Sequence, residues 1–384
     1  MKLLKVARQS VASIALGAAL FTPLLAQADI LIGSVLSLTG PAGFLGVPEK
    51  RTLDIYVDRI NAAGGVLGQK IKLIVYDDGS KADQARTYAT RLVEDDRVVA
   101  MVGGSATGTS MAMLPVFEES KTPFISISGG AQIIDPVRKY VFKPPQTDIM
   151  ACQKVFEDMR KRNITRIAML YGTDGFGMAM RNACQAAQER AGIKIEHEES
   201  YGPSDADVTP QLSNIRKLSS VQAVLSPGIG QGPAIVARNF RQVGMTVPLY
   251  LSHGAATNGF IGLAGAAANG VRLPGPALLV ADSLPDSDPQ KKVVLDYKNV
   301  YEAAAKEPVS AFGGYAHDGL TLLVDAIRRA GKVDKEKIRD EIEKTRGFMS
   351  TVGEINMSPT DHLGITLSAF RMLEIKDGKW HLAE

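Results

Sequence analysis

Cysteine, tryptophan and basic runs are scarce in this sequence of 384 residues. It has two cysteines, one tryptophan and 6% aromatic residues. Two cysteines alone cannot supply the four ligands of a structural zinc site. The 44 basic residues exceed the 41 acidic ones by three, and Lys2, Lys5 and Arg8 account for that excess. Because the rest of the chain is neutral and has no basic run, the sequence predicts no nucleic-acid partner.

Catalytic signatures are also missing. The five histidines are scattered, so neither an HExxH motif nor a paired metal spacing occurs. The stretch Gly103–Gly108 has Thr107 where the G-x-S-x-G elbow of serine hydrolases requires glycine. The stretch Gly228–Gly232 reads GIGQG, and Pro233 replaces the last glycine of a dinucleotide fingerprint. The sequence therefore predicts a protein that is not an enzyme and carries no metal or cofactor.

The first 28 residues predict a cleavable signal peptide. Met1–Arg8 is basic, Val11–Leu25 is apolar, and residues 26–28 (AQA) are the small residues that a signal peptidase requires. A membrane anchor is the alternative, but the apolar stretch of ~15 residues is shorter than the ~20 that span a bilayer. No cysteine follows the cleavage site to carry a lipid. We therefore expect export to the periplasm and a soluble mature protein that begins at Asp29.

From Asp29 onward, short apolar runs alternate with amphipathic stretches. The apolar runs are rich in valine and isoleucine and are bounded by Gly, Asp or Ser, which is typical of buried parallel strands. The first series has predicted strands at Ile30–Leu36, Ile71–Tyr76, Val98–Val102 and Pro123–Ser128. The second series has predicted strands at Arg166–Tyr171, Lys194–Tyr201, Ala223–Ser226 and Pro248–Leu251. Two such series predict an α/β protein with two doubly wound lobes.

The C-terminal part of the chain has a different pattern. We predict a strand at Ala277–Ala281, then three helices, then a small antiparallel ending with a hairpin turn at Asp377-Gly378. The three helices are predicted at Pro289–Lys306, Ala311–Ala330 and Asp334–Lys344. Three helices and an antiparallel tail cannot bury a core alone, so we expect the chain to return to both lobes.

Small hydroxyl residues and glycines directly follow several predicted strands. They occur in Thr39–Gly43, Gly103–Ser110 and Ser126–Gly130. Ligands of open α/β sheets bind at the carboxyl ends of strands, and helix N-termini at that edge attract anions. One such turn is explained by chain reversal, but three at one sheet edge favour a site for a small carboxylate.

Four stretches resemble the type I periplasmic solute-binding proteins, most closely the leucine/isoleucine/valine-binding branch that serves ABC importers. They are ILIGSVLSLTGPAGFLG (Ile30–Gly46), INAAGGVLGQKIKLIVYDDGS (Ile60–Ser80), MLPVFEESKTPFIS (Met113–Ser126) and GYAHDGLTLLVDAIRRAG (Gly314–Gly331). The resemblance implies two Rossmann-like lobes joined by a three-stranded hinge, with the ligand cleft between them. It also implies a monomer whose partner is an ABC permease in the inner membrane.

The resemblance further implies where the lobes meet. We expect the hinge crossings near Lys143–Asp148, Pro274–Ala281 and Gly347–Glu354. After the signal peptide, the first lobe then comprises residues 29–145 plus 278–350. The second lobe comprises residues 146–277 plus 351–384.

The ligand carboxylate of amino-acid-binding relatives is held by a hydroxyl after the third strand and by the turn after the fourth strand. These positions fall on Thr107 and on the turn that begins at Ser128. The resemblance and the neighbouring turns give one set of predicted ligand-binding residues: Phe44, Leu45, Ser105, Ala106, Thr107, Ser128, Gly129, Gly130, Phe176, Ile229, Gly230 and His253.

The site departs from those relatives where they bind the ligand ammonium. Their second lobe supplies an acidic residue in the loop after the strand predicted at Pro248–Leu251, but this loop reads SHGAA and has His253. The tyrosines that complete the ammonium site are replaced by Leu45, Phe176 and Ile229. An ammonium buried without a counter-charge costs several kcal/mol. Together with Phe44, these apolar residues predict a wall for an aromatic or branched acyl group.

The predicted function is capture of a small carboxylate that lacks an amine, for delivery to an ABC importer. An aromatic acid is the best candidate, because the chain resembles the aromatic-carboxylate-binding subgroup of the family. Two alternatives stay open: transport of a branched-chain amino acid or an amide, and a sensor that presents its closed form to a receptor.

The two cysteines form either a disulfide or two free thiols. Cys152 and Cys184 lie in the early turns of the predicted helices that flank the strand Arg166–Tyr171. Successive helices of a right-handed β-α-β unit run parallel on one sheet face, so these turns can be neighbours. In an oxidising compartment the pair predicts a disulfide, and two buried free thiols are the alternative.

Overall fold

Two separate β-sheets organise the computed structural model, which describes residues 28–383. The signal peptide predicted for residues 1–28 lies outside the described residues except for its last residue. No helix of residues 28–383 is both long and apolar enough to cross a bilayer.

The first sheet has five parallel strands in the order β2-β1-β3-β4-β5. The strands are β1 (Ile30–Leu36), β2 (Ile71–Asp77), β3 (Ala100–Gly103), β4 (Phe124–Ser126) and β5 (Val141–Phe142). The connecting helices are α1 (Gly43–Ala62), α2 (Ala82–Glu94) and α3 (Thr107–Glu119). The strand order reverses between β1 and β3, and such a switch point opens a crevice at the carboxyl ends of the strands.

The second lobe repeats this alternation of strands and helices. Its parallel strands are β6 (Arg166–Gly172), β7 (Lys194–Tyr201), β8 (Ala223–Ser226), β9 (Leu249–Leu251) and β10 (Arg272–Gly275). Its helices are α4 (Asp148–Lys161), α5 (Gly175–Ala191), α6 (Thr209–Arg216), α7 (Gly232–Gln242) and α8 (Asn258–Ala264). The structure contains a disulfide between Cys152 of α4 and Cys184 of α5, with Cα atoms 5.3 Å apart.

The C-terminal part of the chain contributes to both lobes. Its helices are α9 (Lys291–Ala305), α10 (Ala311–Ala330) and α11 (Lys335–Glu343), and its strands are β11 (Phe348–Ser350), β12 (Gly353–Ile355), β13 (Arg371–Lys376) and β14 (Lys379–Leu382). Helix α10 packs on the first sheet, since a Cβ on Gly319 would lie 2.8 Å from Val102. Strands β13 and β14 extend the second sheet in the order β14-β13-β10-β9-β8-β6-β7, with β13 antiparallel to β10.

Each sheet is covered on both faces, as the alternation of side chains along its strands requires. In β3, Val102 belongs to the core shared with α1 and α10, whereas its neighbour Met101 belongs to the core under α2 and α3. In β6, Met169 faces α4 and α5, whereas Leu170 faces α6 and α7. This arrangement confirms the predicted fold class of two doubly wound α/β lobes.

One predicted strand is wrong. Residues Ala277–Ser283 form 3-10 helical turns, and the strand of this region is β10, five residues earlier. Pro276 follows β10 directly, and proline has no N–H to continue a ladder of hydrogen bonds. The apolar run that suggested a strand is instead buried against α9.

The segment between β12 and β13 lies beside the first sheet. After β12, Met357 N donates to Thr345 O, and the ring of His362 stacks on Phe142 at the end of β5. The chain therefore stays beside the first sheet through this segment and joins the second sheet only at Arg371. The sequence pattern did not show this because the segment has no helical or strand periodicity.

Candidate ligand-binding site

A cleft between the two lobes holds the candidate site. Its outer part is a cavity of about 610 Å³, within the ~300–1,000 Å³ that is typical of small-molecule sites. Turns after β1 and β3 line it from the first lobe, and the N-termini of α5 and α7 line it from the second. An inner pocket of about 30 Å³ lies deeper in the cleft.

The inner pocket combines residues from both lobes. It is lined by Leu45, Ser105, Ala106, Thr107, Ile127, Ser128, Gly129, Phe176, Ile229, His253, Gly254, Phe312 and Tyr315. Of the predicted ligand-binding residues, the structure brings nine into this lining, namely Leu45, Ser105, Ala106, Thr107, Ser128, Gly129, Phe176, Ile229 and His253. Phe44 and Gly230 line the outer cavity, and a Cβ on Gly130 would lie 2.4 Å from the Thr107 side chain.

Some lining residues were missed by the sequence analysis. Phe312 and Tyr315 come from the first turns of α10, and Gly254 follows His253. The spacing of Phe312 and Tyr315 predicts one helix face, but it does not show that this face meets the cleft. Gly254 has no side chain because a Cβ there would lie 2.8 Å from Phe176 and Ile229.

Thr107 presents an unpartnered hydroxyl at the start of α3. The residue is buried, and its Oγ1 has no hydrogen-bond partner among the described residues. Ala106, which caps the helix, has no side chain that can accept from the first N–H groups. Those N–H groups have no partner within the helix and carry its positive end, so this turn attracts an anion.

His253 also has unused hydrogen-bonding capacity. It is only 3% exposed, and neither ring nitrogen has a partner among the described residues. Its ring packs edge-on against Phe176 and Phe370, at centroid distances of 5.0 and 5.3 Å. Burial, with a smaller effect of Lys143, lowers the pKa of His253 to about 3, so the ring is neutral at pH 7. A neutral imidazole can donate one hydrogen bond and accept another.

The serine hydroxyls of the pocket are already engaged. Ser105 Oγ donates to the carboxylate of Glu49 and accepts from Ser37 N. Ser128 Oγ donates to Ser110 Oγ over 3.2 Å. Thr107 and Tyr315 differ from these serines, because their hydroxyl groups have no partner among the described residues.

Charged side chains are rare in the lining of the cleft. Among the described residues, no Asp, Glu, Lys or Arg lines the inner pocket, and Asp174 alone of these types lines the outer cavity. Asp174 Oδ1 caps α5 by accepting from Phe176 N and Gly177 N, at 2.9 and 3.1 Å. No group of three or more potential metal ligands occurs among residues 28–383.

The lobes approach each other closely at the cleft rim. A Cβ on Gly175, at the start of α5, would lie 3.4 Å from Gly108 N at the start of α3. A Cβ on Gly230 would lie 3.5 Å from Pro41 O. Deeper in the cleft, a Cβ on Gly129 would lie 2.8 Å from His253 Nε2. Glycine at these positions lets the two halves of the site close on a small molecule.

Known proteins share both this fold and this sequence pattern. The family described as periplasmic binding protein matches residues 29–379. A leucine-, isoleucine-, valine-, threonine- and alanine-binding protein of Pseudomonas aeruginosa is 24% identical over 83% of this chain and 83% of its own length.

Solved structures of other proteins have the same two-lobed fold. An extracellular ligand-binding receptor from Rhodopseudomonas palustris HaA2 is 28% identical, with a TM-score of 0.86 over 93% of this chain and all of that chain. A leucine-binding protein from Thermotoga maritima, 23% identical, has the same fold with a TM-score of 0.82 over 92% of this chain and 98% of its own. The chain therefore belongs to the periplasmic binding protein family, and its two lobes form the type I fold of that family.

Proposed function

We propose that the protein is the periplasmic binding component of an ABC importer and captures a small carboxylate that lacks an amine. An aromatic acid is the best candidate. The observation that carries the proposal is an inner pocket which, within residues 28–383, has unpartnered hydrogen-bonding groups and apolar walls but no acidic side chain.

The anionic end of the ligand fits the turn at the start of α3. There the Thr107 hydroxyl and the N–H groups of the first helical turn have no competing acceptor among the described residues. Buried polar groups rarely stay unpartnered in a functional state, so these donors favour a ligand that accepts hydrogen bonds. A carboxylate accepts several and is also attracted by the helix N-terminus.

The absence of a counter-charge argues against a ligand ammonium. The loop after β9 contributes neutral His253, and Glu49, which accepts from Ser105 behind the pocket, lines neither cavity. Asp174 belongs to the outer cavity and caps α5. An amino acid would bury its ammonium here at a cost of several kcal/mol.

The apolar walls favour a ring or a branched acyl group. Leu45 and Phe312 come from the first lobe, and Phe176 and Ile229 face them from the second. Phe44 packs edge-on against Phe312 at 5.9 Å and extends the wall toward the outer cavity. Aromatic side chains also form favourable stacked or edge-on contacts with an aromatic ligand.

A branched-chain amino acid is the second candidate, because several relatives are named for leucine, isoleucine and valine. The same fold could also present its closed form to a receptor. For import, we expect an exported monomer that delivers its ligand to a permease in the inner membrane, since ligand binding stabilises the closed arrangement of the lobes.

The test is a thermal-shift screen followed by titration calorimetry on the purified protein. The panel contains benzoate, 4-hydroxybenzoate, 4-methyl-2-oxopentanoate and leucine, so that the last two differ mainly in the amine. A ligand that binds the native state raises the melting temperature. We expect the acids without an amine to do so and leucine to have little effect. A shift with leucine alone would refute the amine-free ligand and favour the second candidate.

A further inference from the structure

Glu49 is a buried carboxyl group directly behind the inner pocket. It lies in the second turn of α1 and is fully buried. One carboxylate oxygen accepts the hydroxyl hydrogen of Ser105, and the other, Oε1, has no partner among the described residues. Because Ser105 lines the pocket, a single hydroxyl group separates Glu49 from the ligand cavity.

The Ser105 hydroxyl is fixed by this contact. It donates to Glu49, and it accepts from Ser37 N over 3.0 Å. A hydroxyl has one hydrogen to donate, so Ser105 cannot also donate to a ligand carboxylate while it donates to Glu49. When Glu49 is protonated, its own hydrogen can be donated to Ser105 Oγ, and the Ser105 hydrogen can then turn toward the pocket.

No cation compensates the charge of Glu49 among residues 28–383. Its neighbours on α1, Lys50 and Arg51, pair with Asp54 and Glu307. The charged side chain that acts on Glu49 is a second acid, Asp78, directly after β2. Burial raises the pKa of Glu49 to about 8. The hydrogen bond from Ser105 acts in the opposite direction, and the negative charge of Asp78 adds a smaller increase.

Other ionisable groups near the cleft have different partners. On α10, which packs on α1, His317 and Asp318 hydrogen-bond each other, and burial raises the pKa of Tyr315. On the opposite side of the pocket, burial lowers the pKa of Lys143 to about 7 and that of His253 to about 3. Burial also raises the pKa of Asp78 and that of Asp174, but among the described residues neither of these acids lines the inner pocket, whereas Glu49 hydrogen-bonds Ser105, which does.

We propose that Glu49 is a positioning residue that admits a ligand carboxylate when it is protonated and opposes one when it is ionised. In the protonated form it frees the Ser105 hydrogen for the ligand and removes a like charge from behind the pocket. This inference rests on the proposed function, because it concerns an anionic ligand at the same site.

The pH dependence follows from linkage. Well below pH 8 Glu49 is protonated in the free protein, so ligand affinity there does not depend on its ionisation. Above pH 8 the ionised form predominates, and binding a carboxylate must be accompanied by uptake of a proton. The affinity then falls as the pH rises, by up to about tenfold for each pH unit. Benzoate itself stays ionised throughout, since carboxylic acids titrate near pH ~4.

The experiment is calorimetric titration of the full mature protein with benzoate from pH 6.5 to 9.5, in pairs of buffers with different heats of ionisation. If benzoate does not bind, 4-methyl-2-oxopentanoate takes its place. We expect uptake of up to one proton above pH 8 by the wild type, which the Glu49→Gln variant lacks. Proton uptake or release by Lys143 near pH 7 also occurs in the variant. The difference in proton uptake between wild type and Glu49→Gln is therefore assigned to Glu49.

A matched variant tests whether position matters. Glu94→Gln makes the same chemical change on the exposed end of α2, and it should show the same proton uptake as the wild type.

Equal proton uptake by wild type and Glu49→Gln would overturn the inference but leave the proposed function intact. The inference would also be overturned if the affinity of the wild type rose with pH and this rise were missing in Glu49→Gln. Ionised Glu49 would then stabilise a cationic group of the ligand. If neither acid binds the wild type at any pH, the proposed function fails, and the inference fails with it. If Glu49→Gln does not fold, the absence of proton uptake above pH 8 by the wild type would still overturn the inference.

Discussion

Single side chains in the cleft show what the ligand has to supply. Thr107, His253 and Tyr315 are buried, and each has polar atoms without a partner among the described residues. Proteins satisfy nearly all buried polar groups, and each unsatisfied group costs about 1–3 kcal/mol. Three such side chains around one pocket therefore indicate a ligand with matching polar atoms. The engaged hydroxyls of Ser105 and Ser128 form the layer behind them.

Thr107 should contribute through its hydroxyl. The substitution Thr107→Val keeps the shape of the side chain but removes a donor to a charged oxygen, worth ~1.5–3 kcal/mol. We expect calorimetry to show benzoate binding that is roughly ten- to a hundred-fold weaker, with little change in the melting temperature of the free protein. The matched control is Thr87→Val on the exposed face of α2. Unchanged affinity in Thr107→Val would mean that the carboxylate binds elsewhere.

His253 should distinguish an anionic from a cationic ligand. The structure shows a buried imidazole, which its lowered pKa keeps neutral at pH 7, where amino-acid-binding relatives are expected to have an acid. The substitution His253→Glu places a carboxylate in the pocket, so repulsion should weaken benzoate binding at least about tenfold at pH 8. The His253→Gln variant, which keeps a neutral donor and acceptor, should bind more tightly than His253→Glu. Equal affinities of wild type and His253→Glu in calorimetry would show that this side chain does not face the ligand.

At the scale of elements, most of the fold was predictable because strands and helices carry their own periodicity. The apolar runs at Ile30–Leu36 and Ala223–Ser226 are strands with the predicted bounds. The apolar run at Ala277–Ala281 is helical instead, because its burial against α9 does not require a strand. Apolar character predicts burial reliably, but short runs do not distinguish strands from helical turns.

The candidate site was predictable in part for the same reason. Residues of the turns after β3 and β4 must meet at one sheet edge, so Thr107 and Ser128 could be placed together from the sequence. Glu49, Phe312 and Tyr315 could not, because they reach the site from the interior faces of α1 and α10. Which helix face meets the cleft depends on how α10 packs against α1 and the first sheet, and local patterns do not encode that.

The disulfide between α4 and α5 is the element-scale feature with the clearest energetic consequence. It joins residues 32 positions apart, and a loop of that length gives about 3–4 kcal/mol of stabilisation in the chain-entropy treatment. We expect the Cys152→Ala/Cys184→Ala double variant to lose an amount of that order in the free energy of unfolding. Chemical denaturation with and without a reducing agent measures the loss. Reduction should not affect the double variant, and an unchanged wild type under reduction would mean that the thiols are not bonded.

At the scale of the whole molecule, the position of the lobes decides whether the site exists at all. Thr107 belongs to the first lobe and His253 to the second, so neither lobe alone forms the pocket. A ligand that contacts both lobes favours the closed arrangement by its extra affinity for that arrangement. The small residues at the rim, Gly108 facing Gly175 and Gly230 facing Pro41, permit this approach.

Closure should therefore fail when a large side chain is placed at the rim. A Cβ on Gly175 would lie 3.4 Å from Gly108 N, so the longer side chain of Gly175→Leu would collide with the start of α3 in the closed molecule only. We expect at least about tenfold weaker benzoate binding, a free protein that melts as the wild type does, and no ligand-induced decrease of the radius of gyration in small-angle X-ray scattering. The matched control is Gly262→Leu on α8, where no atom of the described residues lies within 4 Å of the added Cβ, and it should behave as the wild type. If Gly175→Leu bound and contracted like the wild type, the ligand would not need the closed rim, and the site would have to be formed within one lobe.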